Sequence, residues 1–309
     1  MIETVVSLEL PVDEKLTIQK RRIMPINPTG NEKRISIVTG IYGDELEGQY
    51  ACFELTRILE ANIEKLNGIV DIYPAVNPLG IASMSRGIPM FDLDMNRIFP
   101  GTDNGGMADA VAAELTSDLL GSDLCIDIHA SNLYLTELPQ ARLTEQFEDT
   151  LLPIAKQLNV DFIWIHESST VLESTLSHSL NLLNVPTVVV EMGVGMRLTL
   201  EYGDSLVKGI LNVMKQMGIW QGETASLKEP VISKDGHVEY LNSKASGFFI
   251  PKVKHGDHVT TGQTIGDIVD VLNNKVEHHI TAPCDGLLFT LRAHPVVYQG
   301  SLIGRILEQ

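Results

Sequence analysis

Residues 34–66 read RISIVTGIYGDELEGQYACFELTRILEANIEKL. The first six form a β-branched apolar run of strand length, and the glycines and acids at 40–45 interrupt it. From residue 46 onward Ala51, Leu55, Ile58, Leu59 and Ile63 recur at helical spacing. A buried strand, a polar turn and an amphipathic helix together make the repeating unit of an α/β sheet. The unit recurs along the chain. Strands are expected at 68–75, 124–128, 161–165 and 186–190, and helices at 46–66, 107–120, 143–158, 174–183 and 199–217. One or two further strands are expected before residue 30. The fold class is therefore α/β, with a mostly parallel or mixed sheet and helices on both faces.

The pattern changes near Thr224. Short alternating segments follow, punctuated by Gly236, Gly247, Gly256, Gly262, Gly266, Gly286, Gly300 and Gly304, and none of them has helical spacing. This predicts an α/β domain over 1–224, a connection around 221–230, and a small all-β, barrel-like domain over 225–309. The stretches PKVKHGDHVTTGQTIGDI (251–268) and NNKVEHHITAPCDG (273–286) resemble a lipoyl/biotinyl-like barrel, with Lys275 eight residues before Pro283. The flanks of a modified lysine are absent, Asn274 and Val276 standing there instead, so the expected role is shaping a pocket mouth or mediating assembly. His278 and His279 fall on opposite faces of a strand, which argues against a joint metal site.

The 309 residues carry a net charge of −17, a field that repels nucleic acid and anionic membranes, so neither is an expected partner. Three scattered cysteines, Cys52, Cys125 and Cys284, form no disulfide framework. No signal peptide is expected from the N-terminal residues, and no apolar run reaches the ~18 residues of a membrane span. The expectation is a cytoplasmic protein acting on a small molecule. A homo-oligomer is compatible with the sequence without being specified by it.

Ligands of open α/β sheets bind beyond the carboxyl ends of the strands. Four strand ends bring Glu45, Asn77, His129 and Glu191 toward one edge. Three of them have a bland alternative. Glu45 can serve as a helix N-terminal acid, His129 as a rim histidine, and Glu191 as one half of an ion pair. The block NPLGIASMSRGIPMFDLDMNRIFPG (77–101) lacks clear periodicity, and long irregular loops are usually functional. Its Arg86 and Arg97 suit carboxylate or oxyanion recognition, or else a structural network with Asp92 and Asp94.

In order along the chain, YGDE (42–45), NP (77–78), Arg86, DMNRIFPG (94–101), DIH (127–129) and EMG (191–193) resemble the succinylglutamate desuccinylase/aspartoacylase family, relatives of the zinc carboxypeptidases. The resemblance implies one zinc ion held by Glu45 and His129, with Tyr42 in the place of the third ligand. It also implies Glu191 as general base, Arg86 as the group polarising the scissile carbonyl, and Asn96, Arg97 and Asn77 around the substrate. The implied reaction is hydrolysis of an N-acyl amino acid or similar small carboxylate-bearing amide by metal-activated water. A binding or sensor protein of the same fold that has lost the metal is the alternative. The departure is Tyr42, where the family has histidine, and no histidine precedes His129. Three readings stay open: Tyr42 ligates as phenolate, His166 or His178 folds in, or the metal site is lost.

Overall fold

The computed structural model describes residues 1–90, 93–167, 173–234 and 237–308. In chain order the elements are β1 (Ile2–Glu9), β2 (Lys15–Ile23), β3 (Arg34–Thr39), α1 (Glu47–Ala61), β4 (Ile69–Tyr73), α2 (Pro78–Ser83), α3 (Met107–Leu119), β5 (Leu124–Ala130), β6 (Leu135–Thr144), α4 (Glu148–Ala155), β7 (Phe162–His166), α5 (Leu176–Leu182), β8 (Thr187–Gly193) and α6 (Leu200–Gln216). The strands that follow are β9 (Val231–Lys234), β10 (Val238–Asn242), β11 (Gly247–Pro251), β12 (His258–Val259), β13 (Thr264–Asp270), β14 (Lys275–Thr281), β15 (Gly286–Arg292), β16 (Val296–Val297) and β17 (Leu302–Glu308).

Among the described residues these strands form one sheet of 13 and one of four. The centre of the large sheet runs β4-β3-β5-β8, and its neighbours are parallel. Either side is antiparallel: β2 against β4, and β6 against β8. The sheet is therefore mixed. The apolar stripes of α1, α4 and α6 cover one face, with Leu55, Leu59, Leu151, Ile210 and Met214 in the core. Val111 and Leu115 of α3 and Leu180 of α5 cover the other face. The α/β class with helices on both faces holds.

One stretch departs from the sequence reading. A helix was expected over 143–158, but residues 135–144 form β6, and α4 starts only at Glu148. Pro139 sits inside this strand and obscures its alternation. Pairing on both sides decides the matter: β6 hydrogen-bonds to β8 and to β15, with Thr290 opposite Glu137. Two-sided pairing outweighs local propensity. Through that seam β15, β17 and β10 extend the large sheet, while β14-β13-β11-β16 form the small antiparallel one. Phe289 of β15 is fully buried, 4.9 Å from the Phe162 ring and 5.7 Å from that of Trp164.

The block 77–101 is less irregular than expected, since it contains α2 and a single turn at Met95–Arg97. Asp92, the expected partner of its arginines, lies outside the described residues. Among the described residues no helix is long and apolar enough to cross a membrane.

Candidate active site

The turn after β3 places the first groups. Gly40 adopts φ +72°, which favours glycine, and a side chain at Gly43 would lie 2.0 Å from the Gly80 carbonyl carbon of α2. The turn thus closes tightly on α2 and holds Tyr42 and Glu45, each 4% exposed. On the adjacent parallel strands β5 and β8, His129 and Glu191 are register partners. Gly193, φ +69°, then turns the chain away from β8, and a side chain there would run into Glu47. The Glu47 carboxylate in turn accepts from the Thr199 backbone and hydroxyl at 2.7 Å each, at the start of α6.

Glu45, His129, Tyr42, Arg86, Asn96, Arg97 and Glu191 all line one cavity of about 500 Å³. Inside it, His129 Nδ1 meets Glu45 Oε2 at 2.9 Å, and the Ala130 amide donates to the same oxygen at 3.0 Å. His129 Nε2 faces Asp127 Oδ2 at 3.1 Å. Burial disfavours charge on His129, but the Asp127 and Glu45 carboxylates outweigh it and hold the imidazole protonated well above the usual histidine range. Arg86 Nη1 donates to Glu45 Oε1 at 2.8 Å, and its Cζ lies 3.4 Å from the centre of the Tyr42 ring. Burial first, and then the Asp94 carboxylate, raise the Tyr42 phenol above its usual range; Arg86 and Arg97 pull the other way.

Arg97 is exposed, and its Nη1 donates to the Asn96 carbonyl at 2.8 Å. Asn96 is buried, and its Oδ1 accepts from the Leu176 amide at 2.8 Å, tying the block to α5. Asn77 is not brought to the cavity. Its Oδ1 caps α2 through the Gly80 amide at 2.8 Å, and its Nδ2 donates to the Gly87 carbonyl at 3.1 Å. Both ends of that amide are taken up by backbone, so its place in the Asn-Pro motif is structural.

The far wall holds three groups that the sequence reading missed: Glu137 and Arg142 on β6, and Arg305 on β17. Arg142 bridges two carboxylates, Glu191 Oε1 at 2.8 Å and Glu137 Oε2 at 2.9 Å. Arg305 donates to Glu137 Oε1 at 2.5 Å. Burial, the strongest influence, pushes Glu191 up to about 8; Arg142 opposes it, while the Glu137 and Glu45 carboxylates add to it. Glu137 is buried too, yet Arg142 and Arg305 hold it below the ordinary glutamate range. One carboxylate of the pair stays ionised while the other keeps its proton to higher pH. The only signal in the sequence is a glutamate and an arginine within residues 135–144, where Pro139 masks the strand alternation, and an arginine in the last strand.

The zinc that the resemblance implies asks for about three N or O ligands and one open position. Glu45 and His129 do stand side by side, but both Glu45 oxygens and His129 Nδ1 are hydrogen-bonded within the protein, and His129 Nε2 lies 3.1 Å from Asp127 Oδ2, whose carboxylate has no hydrogen-bond partner. At Tyr42 a phenol stands in the place of the third donor, and its ring face is occupied by Arg86, Cζ lying 3.4 Å from the ring centre. Of the substitute histidines, His178 lines the cavity and His166 is not among its lining residues. Among the described residues no three His, Cys, Asp or Glu side chains converge as a metal-binding group. As they stand, these side chains do not fit a catalytic divalent cation.

Residues 31–217 match the succinylglutamate desuccinylase/aspartoacylase catalytic domain. The chain is 28% identical to the N-alpha-acetyl-L-2,4-diaminobutyric acid deacetylase of Halomonas elongata, over 97% of this chain and 90% of that protein. The product-bound ectoine utilization protein EutE (DoeB) of Ruegeria pomeroyi has a TM-score of 0.84 at 21% identity, covering 100% of this chain and 95% of that one. The succinylglutamate desuccinylase/aspartoacylase of Rhodobacter sphaeroides has a TM-score of 0.80 at 24% identity, covering 96% and 90%. With the catalytic-domain match spanning most of the α/β region and the motif residues lining one cavity, the chain belongs to the succinylglutamate desuccinylase/aspartoacylase family, a family of amide-bond deacylases.

Proposed function

We propose that the chain hydrolyses the amide bond of an N-acyl amino acid, or of a similar small carboxylate-bearing amide, with Glu191 as the general base. The observation that carries this reading is that Glu191 lines the same cavity as the Arg86 and Arg97 guanidiniums, and burial there pushes its carboxyl up to about 8. General bases work best with a pKa near the operating pH. Ionised Glu191 takes a proton from water, and the water oxygen forms a bond to the acyl carbon. Arg86 donates to the developing oxyanion, a contribution of about 3–4 kcal/mol in comparable sites. Arg97, with Asn96 beside it, holds the carboxylate of the substrate. Glu191 then returns the proton to the amine as the C–N bond breaks, leaving a carboxylic acid and a free amine. Every group in this sequence belongs to the chain itself. The Halomonas relative, by its name, supports an N-acetylated diamino acid as one substrate to try.

The test is amine release from a panel of N-acetyl and N-succinyl amino acids, read by chromatography against the Glu191→Gln variant. Turnover that Glu191→Gln abolishes supports the reading; turnover that survives it removes Glu191 from the mechanism. A second reading, binding without turnover, is favoured by Tyr42 standing where the family has a histidine ligand. Calorimetric binding of a panel compound that is never cleaved would establish it.

A further inference from the structure

We propose that Arg86 has taken over both the place and the charge of the family's metal, so that Tyr42, Arg86 and Glu45 form a fixed organic cation site closed to divalent metals. Three observations converge. Arg86 Nη1 pairs with Glu45 Oε1 at 2.8 Å, while Glu45 Oε2 is held by His129 Nδ1 at 2.9 Å and the Ala130 amide at 3.0 Å. Both oxygens of the one acidic ligand are thus engaged. Tyr42 offers Arg86 the face of its ring, 3.4 Å from Cζ. A planar guanidinium stacks on such a face, whose negative quadrupole attracts the cation. Histidine at this position presents a nitrogen lone pair to a metal; tyrosine presents a seat for an arginine. The remaining ligand, His129, has its second nitrogen against Asp127 at 3.1 Å. A metal entering here must expel Arg86 and then finds one carboxylate and one imidazole, short of the three ligands of a catalytic zinc.

The replacement keeps the electrostatic function. A guanidinium stays charged at any working pH and carries five N–H donors, of which Glu45 accepts one. The Arg86 side chain remains 44% exposed, on the cavity wall. Lining the cavity, it can donate to a carbonyl or carboxylate oxygen of a small acyl compound bound there. The ligand class rests on the reaction proposed above. The exclusion of metal does not, and it is tested by reading zinc instead of turnover.

The full chain, Tyr42→His, and Tyr42→His/Arg86→Gln are loaded with excess Zn²⁺, desalted and analysed by plasma mass spectrometry, with Glu45→Ala as background for surface histidines. The expected result is no zinc above background in the natural chain, and at least ten-fold tighter zinc in the double variant than in Tyr42→His. Near one zinc per chain above background in the natural protein overturns the inference. So does a double variant no tighter than the single one. If the histidine variants do not fold, thermal melting of the natural chain decides. A melting temperature unmoved by Zn²⁺ supports the closed site, and a rise absent from Glu45→Ala refutes it. A natural chain that holds zinc and deacylates loses this inference and keeps the function; one that holds no zinc and turns nothing over does the reverse.

Discussion

At the scale of single residues, Glu191 carries the most consequential chemistry. One side of its carboxylate is tied to Arg142, yet 20% of the side chain stays open. Glu191→Gln preserves shape and hydrogen-bonding reach but removes the base. We expect turnover to fall by about 10²- to 10⁴-fold, with ligand affinity measured by calorimetry changing little. With its pKa at about 8, the rate should rise with pH through about 8 and flatten above it. Stability should move the opposite way. A carboxyl whose folded pKa lies above its unfolded value of about 4.3 favours the fold at low pH, and that contribution is lost as pH rises through the folded value. Urea unfolding at pH 6 and pH 9 should show the loss in the natural chain and a smaller one in Glu191→Gln. Equal slopes in the two proteins would contradict the raised pKa.

At the scale of elements, β4 shows how a charged residue becomes part of a sheet core. Asp71 is fully buried and faces Arg22 of β2 across the antiparallel pair. Arg22 grips it with Nε at 2.8 Å and Nη2 at 2.6 Å, and Lys20 Nζ stands 3.5 Å away. Lys20 is itself buried and held by Asp118 at 2.7 Å. Burying such a group stabilises little by itself, but breaking it leaves cations without their partner. Asp71→Ala should therefore cost about 3–5 kcal/mol, measured by urea unfolding, while leaving any panel turnover intact at low temperature. A loss below about 1 kcal/mol would show that the network relaxes to water instead.

At the scale of the whole molecule, the cavity is built from both ends of the chain. Its turn comes from residues 40–45, and Arg305 reaches Glu137 across 168 positions of sequence. The joint is the β6–β15 pairing, reinforced by Phe289 against Phe162 and Trp164. Phe289→Ala should cost about 3–5 kcal/mol through the lost burial and the cavity left behind. It should also weaken ligand binding, because β17 and Arg305 depend on the same seam. Trp fluorescence and far-UV circular dichroism should report one coincident transition in the natural chain. Separate transitions would show that the C-terminal strands unfold on their own.

The sequence alone determined the alternation of strands and helices, because apolar periodicity is a local property that burial on a sheet face imposes on each segment. It also placed Glu45, His129 and Glu191 at one sheet edge, since each follows an apolar run and parallel strands end together. It did not reveal β6, where Pro139 hides a strand that only pairing on both sides makes stable. Nor did it separate Asn77, whose amide is taken up in capping α2, from the groups that face the cavity. The charge state of Glu191, the Glu137–Arg142–Arg305 wall and the seat of Arg86 on Tyr42 were decided by tertiary structure alone. Each depends on which distant side chain lies within about 3 Å in a poorly hydrated interior, where a partner's charge outweighs the residue's own intrinsic preference.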